Sequence, residues 1–336
     1  MEENVSQLNV GVIGVGHLGR LHTSIYKQIP EVNLVGIFDV ESEQVQRVAT
    51  EFQVPVFDDM NSLAEQVDAV SVVVPTTNHH DVTMQLLAQG KHCLIEKPIT
   101  TTIAEADDLI ALAQKNQVIV QVGHIERFNP ALRALEHVDL NPMFIESHRL
   151  ASFNPRGTDV AVVLDLMIHD IDIILHLVKS RVKAIHASGV AVITNEVDIA
   201  NARIEFENGA AANVTASRIS QKKMRKMRLF QRSAYISIDF LQKFSEIYQL
   251  VDMTSETDAR LGIPIDMGDL NQQKKIVYEK PDVHDENALL LELMSFVNAV
   301  KNNTRPAVSA EDGREALKVA IEITGMIKDQ LQSLGL

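Results

Sequence analysis

Short apolar runs alternate with amphipathic stretches over the first third of the chain. The runs show no strict alternation of polar and apolar positions, which is typical of parallel strands covered on both faces. They predict strands at about 9–14, 33–38, 69–74, 92–95 and 118–123. The amphipathic stretches predict helices at about 18–29, 41–52, 79–89 and 103–115. This order predicts an α/β domain with a doubly wound parallel sheet, which we place at residues 1–125.

Residues 126–336 follow a different pattern. Helical periodicity near 129–136 and 159–178 is followed by runs that predict an antiparallel sheet. These runs lie at 184–193, 201–206, 212–217, 228–231 and 234–239. Two long helical patterns, at about 285–301 and 309–332, come last, and the segment 252–275 predicts a long loop. We therefore expect a second domain of the α+β class.

A glycine motif follows the first predicted strand. It reads Gly14-Val-Gly16-His17-Leu18-Gly19 and opens a predicted helix. The first glycine allows a tight turn, the second lets the backbone approach a pyrophosphate, and the third allows the helix to pack closely on the strand. Unpaired N–H groups at the helix start can hold the pyrophosphate. The motif predicts a dinucleotide site, although a glycine-rich turn of an unrelated α/β protein would look similar.

The second predicted strand ends at Asp39. A carboxylate at this position accepts hydrogen bonds from a ribose 2′-hydroxyl and repels a 2′-phosphate. We therefore expect NAD rather than NADP as the cofactor.

Composition narrows the class of protein. The 336 residues carry a formal net charge of −14, which argues against general nucleic-acid binding. No apolar run reaches the length of a bilayer span, and the acidic N-terminus lacks the apolar stretch of a signal peptide. The single cysteine, Cys93, excludes an internal disulfide framework. We expect a cytoplasmic enzyme that acts on a small molecule.

Candidate chemistry lies where the predicted parallel strands end, because open α/β sheets bind ligands at that edge. Glu96 and Lys97 end the fourth strand and are followed by Pro98. A lysine there can hydrogen-bond a substrate hydroxyl and favour its alkoxide form. The alternative for Lys97 is an exposed strand-end lysine. Pro75 and Thr76 end the third strand, and we expect them beside the nicotinamide ribose.

A second candidate pair is Asp165 and His169, four residues apart in a predicted helix. This spacing places both on one helix face. Histidine is a natural proton acceptor near neutral pH, and the aspartate can orient its ring or bind a substrate hydroxyl. The alternatives are a solvated ion pair or two ligands of a zinc site, for which no third ligand is obvious. We expect no metal.

Four stretches in chain order resemble the Gfo/Idh/MocA oxidoreductases, the family of glucose–fructose oxidoreductase and inositol dehydrogenase. They are Gly14–Gly19, Pro75–His80, Gly90–Pro98 and Asp165–His169. The resemblance implies a Rossmann domain and a second domain with a large open antiparallel sheet. It also implies that Lys97, Asp165 and His169 act on the hydroxyl that is oxidised. Family members commonly carry glycines around the last motif, and this chain lacks them.

The same resemblance implies further contacts. Glu96, Lys97 and His80 correspond to family positions at the cofactor, although His79-His80 also reads as a simple helix start. The sheet of the second domain often packs against another subunit, so we expect a homodimer or a homotetramer.

Two stretches, 121–130 and 148–157, resemble a bacterial subgroup that oxidises the 3-hydroxyl of UDP-N-acetylglucosamine. Arg127, Arg149 and Arg156 could bind a diphosphate, with Asn129 beside them, or else tie loops together at a domain junction. The basic run Lys222–Arg228 is either a solvated strand edge or a site for an anion or a neighbouring subunit. Two other functions stay open: a free-sugar or inositol dehydrogenase and a non-catalytic NAD-binding regulator.

Overall fold

The computed structural model describes residues 7–154, 160–252, 261–265 and 274–335. Contacts divide the chain into two compact units. The first comprises Met1–Ile125 and Glu286–Lys318, and the second comprises Glu126–Asp285 and Val319–Leu336.

The first unit is built on a five-stranded parallel sheet. Its strands are β1 Leu8–Ile13, β2 Val32–Phe38, β3 Ala69–Val72, β4 His92–Glu96 and β5 Val120–Gly123. They lie in the order β2-β1-β3-β4-β5. Both neighbours of β1 run parallel to it. From β1 the chain first adds β2 on one side and then β3, β4 and β5 on the other, so the strand order reverses at the gap between β1 and β3. Ligands of doubly wound sheets bind at such a reversal.

Helices cover this sheet. They are α1 His17–Tyr26, α2 Ser42–Phe52, α3 Met60–Ala64, α4 His79–Ala88 and α5 Ile103–Asn116. Thr102 starts α5 with a capping box, in which its side chain accepts the N–H of Glu105 and the Glu105 carboxylate accepts the N–H of Thr102. These two bonds satisfy N–H groups that a helix start leaves without partners.

A late helix and the first part of the next one complete the first unit. Helix α8, Ala288–Asn302, buries Leu293, Phe296 and Val297 in the same apolar core as β1, β2 and α1. Helix α9, Ala310–Ser333, begins against β5, where a Cβ on Gly313 would lie 2.6 Å from Val122. The sequence pattern placed both helices in the second domain, whereas α8 and the part of α9 up to Lys318 belong to the first unit and the rest of α9 belongs to the second. Periodicity shows only that α8 has an apolar face, and tertiary packing decides which core receives it.

The second unit is built on a nine-stranded sheet among the described residues, in the order β13-β14-β12-β11-β10-β6-β9-β8-β7. The strands are β6 Phe144–Leu150, β7 Val182–Val190, β8 Ile199–Phe206, β9 Ala211–Ser217, β10 Met224–Gln231, β11 Ala234–Asp239, β12 Phe244–Asp252, β13 Ile263–Ile265 and β14 Lys274–Glu279. All pairs are antiparallel except β6 with β9. The fold class expected from the sequence is confirmed.

Helical segments of the second unit are α6 Pro130–Arg133, a π-helical turn at Val163–Met167, and α7 Ile168–Val178. Seven of the eleven residues of α7 are apolar, and the helix also buries Asp170 and Asp172. Strand β6, which the pattern did not predict, buries Ser147 and Arg149 on the same face as Ile145. The Arg149 guanidinium donates to both Asp170 oxygens, at 2.6 and 3.3 Å, and to Glu126 at 2.8 Å. This pairing lets charged groups occupy a buried face.

Candidate functional site

A cleft of about 840 Å³ lies along the carboxyl edge of the first unit's sheet. Residues that follow β1, β2, β3 and β4 all line it, as the topology predicts. Those that the sequence motifs singled out are Gly14, Gly16, His17, Leu18, Asp39, Pro75, Thr76, Glu96 and Lys97.

The glycine loop has the geometry that the motif requires. Gly14 has φ +84°, and a Cβ there would lie 2.6 Å from the carbonyl oxygen of Val73. A Cβ on Gly19 would lie 1.8 Å from the carbonyl oxygen of Gly14, so only glycine lets α1 start this close to the loop. A Cβ on Gly16 would meet nothing within 4 Å, because this residue opens on the cleft. The loop therefore fits a pyrophosphate held against the backbone.

Asp39 joins the glycine loop to the end of β2. Its Oδ2 accepts the N–H of Val15 at 2.6 Å, and its Oδ1 accepts the N–H of Glu41 at 3.0 Å. A carboxylate has about four lone-pair sites, so capacity remains for ribose hydroxyls. Glu41 and Glu43 also line this end of the cleft, together with one cation, Arg47. The residues at this end carry net negative charge.

Glu96 ends β4 and lines the cleft. Its side chain is 13% exposed, and its Oε1 lies 3.1 Å from Nε2 of His22. Its Oε2 accepts the N–H of Lys97 at 3.2 Å. Burial alone would raise the pKa of Glu96, but the hydrogen bond from His22 and the neighbouring charges outweigh burial and lower it. The carboxylate lies against Gly123, where a Cβ would be 3.1 Å from it. The Lys97–Pro98 peptide bond is cis.

The turn after β3 contains a histidine that the sequence did not single out for the site. His79 is 1% exposed and lines the cleft, and its two ring nitrogens lie 2.9 Å from the carbonyl oxygens of Val74 and Pro98. It ties the ends of β3 and β4 together. Burial lowers its pKa, against the effect of the two carbonyl groups. His80 instead contacts Asp81, with Nδ1 at 3.0 Å from Oδ1, so its cofactor role stays a prediction.

Asp165 lies in the π-helical turn of the second unit, and His169 lies in the first turn of α7. Both are half-buried, whereas Met167 and Ile168 between them are buried. Single π-turns inside helices occur often at functional sites. Within the described residues, no three His, Cys, Asp or Glu side chains are placed to hold a metal ion.

Two of the residues assigned to a substrate have protein partners. Arg127 donates to both oxygens of Asp172, at 2.6 and 2.8 Å, and its side chain is 7% exposed. Asn129 caps α6 by accepting the N–H of Ala131, and its amide donates to Glu126. A substrate would have to displace these contacts, so both roles stay predictions. Arg156 lies outside the described residues.

The basic run is largely ion-paired along β10. Arg225 lies 3.3 Å from Glu126, Lys226 lies 3.1 Å from Asp239, and Arg228 lies 3.5 Å from Glu146. Strand β10 lies between β11 and β6, so the run is not at an edge of the sheet, and the expectation of a solvated strand edge was wrong.

Sheet order, glycine loop and acidic residue together define the Rossmann class of dinucleotide-binding folds. A family model described as an oxidoreductase family with an NAD-binding Rossmann fold matches residues 8–124, and the GFO/IDH/MocA C-terminal domain matches residues 144–236. The chain belongs to the GFO/IDH/MocA oxidoreductase family, as its motifs predicted.

Relatives of known function resemble the chain over nearly its full length. UDP-N-acetylglucosamine 3-dehydrogenase of Acidithiobacillus ferrooxidans is 36% identical, over 97% of this chain and 99% of that protein. A solved structure of the same enzyme, GnnA, superposes with a TM-score of 0.86 at 35% identity, over 96% of this chain and 98% of that one. Myo-inositol 2-dehydrogenase of Thermotoga maritima is 26% identical, over 92% and 93% of the two chains. The described residues contain no helix long and apolar enough to cross a membrane.

Proposed function

We propose that the protein is an NAD-dependent dehydrogenase that oxidises the 3-hydroxyl of UDP-N-acetylglucosamine to a ketone. The observation that carries the proposal is the single cleft that joins Asp39, the glycine loop and Glu96-Lys97 along one sheet edge. The similarity to the Acidithiobacillus enzyme, which covers both chains almost completely, supports this substrate over others.

The choice of NAD over NADP rests on charge. Asp39, Glu41 and Glu43 at one end of the cleft would repel a 2′-phosphate, and Arg47 alone does not balance them. Asp39 also has lone pairs left to accept the ribose hydroxyls.

The chemistry requires that the substrate carbon lose a hydride while its hydroxyl loses a proton. NAD+ supplies the hydride acceptor when bound. We assign the proton transfer to Lys97 and His169 as acid–base groups, with Asp165 orienting His169 or the substrate hydroxyl. The hydroxyl proton passes to a neutral base and later to solvent, so atoms and charge balance.

A turnover assay with a substrate panel tests the function. The purified protein is supplied with NAD or NADP and with UDP-N-acetylglucosamine, UDP-glucose, free N-acetylglucosamine or myo-inositol, and reduced cofactor is followed at 340 nm. We expect turnover with NAD and UDP-N-acetylglucosamine. Turnover with myo-inositol instead would favour the inositol dehydrogenases among the relatives. Cofactor binding without turnover of any sugar would favour a regulator.

Two variants test the acid–base groups. General acid–base groups contribute about 10²–10⁴-fold, so Lys97→Met or His169→Ala should lower kcat by a factor in that range. Dinucleotide binding should persist, because the glycine loop and Asp39 are untouched. His176→Ala is the matched control. His176 lies in the same helix, two turns after His169, and its side chain is exposed. Nearly full kcat in either variant at saturating substrate would contradict that residue's role.

We also propose that the protein assembles through the outer face of the second unit's sheet. Five aromatic side chains form a row across adjacent strands on this face, with ring centroids 5.1–5.7 Å apart. They are Phe144, Phe230, Tyr235, Tyr248 and Tyr278. Phe230 and Tyr278 are 36% and 49% exposed, whereas neighbouring positions such as Leu229 and Val277 face the core.

The charges of this face fit a second copy of the same chain. Arg228 beside Glu146 and Arg203 beside Glu205 place both signs on the surface that holds the aromatic row. A two-fold axis brings a surface against itself, so mixed charge allows each sign to meet its opposite.

A further inference from the structure

Four polar side chains form a hydrogen-bonded series that runs from the lining of the cleft into the first unit. Glu96 Oε1 lies 3.1 Å from His22 Nε2, and His22 Nδ1 lies 3.3 Å from Ser71 Oγ. Ser71 Oγ lies 2.8 Å from the Tyr26 hydroxyl. His22, Ser71 and Tyr26 are each at most 1% exposed. Buried polar groups need partners, and here each one supplies the next.

These four side chains have one direction of hydrogen-bond donation in which a neutral His22 ring gives every group a partner. In that direction, which the distances allow, Tyr26 donates its O–H to Ser71 and Ser71 donates its O–H to Nδ1 of His22. The ring then carries its proton on Nε2 and donates it to Glu96. The Lys97 N–H donates to the other oxygen of Glu96. Both carboxylate oxygens thus receive an N–H, and this arrangement favours the ionised form of Glu96.

Glu96 and Asp39 line one cleft but lie at the ends of different strands. Asp39 follows β2, Glu96 ends β4, and β1 and β3 lie between these two strands in the sheet. A dinucleotide with its adenosine ribose at Asp39 and its pyrophosphate at the loop after β1 has its second nucleoside toward β3 and β4. The base of that nucleoside is the nicotinamide, which carries a positive charge in NAD+ and none in NADH.

We propose that Glu96, kept ionised by the donor chain through His22, makes the cleft discriminate between the two oxidation states of the cofactor. The fixed negative charge attracts the cationic ring of NAD+ and has no such attraction for the neutral ring of NADH. Glu96 thereby favours loading of the oxidised form and release of the reduced form. His22 is a positioning residue, since it acts through Glu96. The inference rests on the proposed function, in that it requires a nicotinamide dinucleotide in this cleft.

The test measures the dissociation constants of NAD+ and NADH by calorimetry without a sugar substrate. In Glu96→Gln, NAD+ affinity should fall roughly tenfold relative to NADH affinity, the size of one charge–charge interaction at a partly solvated site. His22→Phe should move the ratio in the same direction, and His22→Gln, which keeps an N–H donor, should restore it toward the wild-type value. If His22 had only a structural role, His22→Phe would weaken the binding of NAD+ and NADH by the same factor.

Glu43→Gln is the matched control, because it removes the same charge from the opposite end of the same cleft. It should change the affinity for both forms by the same factor. The inference is overturned if both forms bind and Glu96→Gln leaves their ratio within twofold of wild type, or if Glu43→Gln shifts the ratio as much. If the wild-type protein binds neither NAD nor NADP in either oxidation state, the proposed function itself has failed.

Discussion

The Asp39 side chain lines the cleft and also accepts backbone hydrogen bonds. Asp39 was identified from the sequence as a ribose acceptor, and its position after β2 fits that role. Its carboxylate also holds the glycine loop through the N–H of Val15, at 2.6 Å. Substitutions at Asp39 therefore change both charge and loop geometry, and the two effects must be separated.

Two substitutions separate them. Asp39→Asn keeps an oxygen that can accept the Val15 N–H, whereas Asp39→Ser shortens the side chain and loses that contact. Both should relax the preference for NAD over NADP by removing the charge that repels a 2′-phosphate. Asp39→Ser should also weaken the binding of both cofactors. The measurement is the dissociation constant of each cofactor by calorimetry, and equal wild-type affinity for NAD and NADP would contradict the placement of Asp39 at the ribose.

Strands and helices differ in how far the sequence predicted them. The parallel strands were predicted to within a few residues, because both of their faces are apolar and their ends carry glycine, proline or acidic residues. Strand β6 was missed, since its buried positions hold Ser147 and Arg149 and its pattern of apolar residues is therefore broken. The partners that make this burial possible, Asp170 and Glu126, are about 20 residues away in sequence. His22 was missed for the same reason, because its partner Glu96 is 74 residues away.

The connection between β7 and β8 depends on one carboxylate. Oδ2 of Asp198 accepts the N–H groups of Val192, Ile193 and Thr194, at 2.7–3.0 Å, and its Oδ1 accepts the Thr194 hydroxyl at 2.8 Å. Burial opposes ionisation, but these donors outweigh it and lower the pKa of Asp198 to about 2 from 3.8. The contribution to stability is thus complete above pH 3.8 and is lost as the pH falls toward 2.

Replacing this carboxylate should destabilise the protein. Asp198→Asn places an amide N–H₂ group among N–H donors, and we expect a loss of about 1–3 kcal/mol in the free energy of unfolding at neutral pH. The difference from wild type should narrow below pH 3.8. Urea denaturation checks both statements. Glu196→Gln is the control, since its ion pair with Lys328 at 3.5 Å is partly exposed to solvent and should contribute less than about 1 kcal/mol. A loss in Asp198→Asn no larger than in the control would contradict this assignment.

Assembly of the whole molecule can be tested through the aromatic row. An open sheet that exposes apolar area on one face is a liability for a protein that stays a monomer. Tyr235 and Tyr248 lie at the middle of the row and are directly opposed in the pairing of β11 with β12. A second copy seated on this face would bury both rings.

A charge at either position should separate the copies. We expect sedimentation velocity at micromolar concentration to give a dimer or a tetramer for the wild-type protein and smaller species for Tyr235→Lys and Tyr248→Lys. Both side chains are only partly buried within one chain, so the variants should keep their secondary structure by circular dichroism. Leu334→Lys places the same charge on an exposed apolar residue that follows α9 and should not change the mass. A monomeric wild-type protein, or an unchanged mass in both tyrosine variants, would show that this face is not the interface.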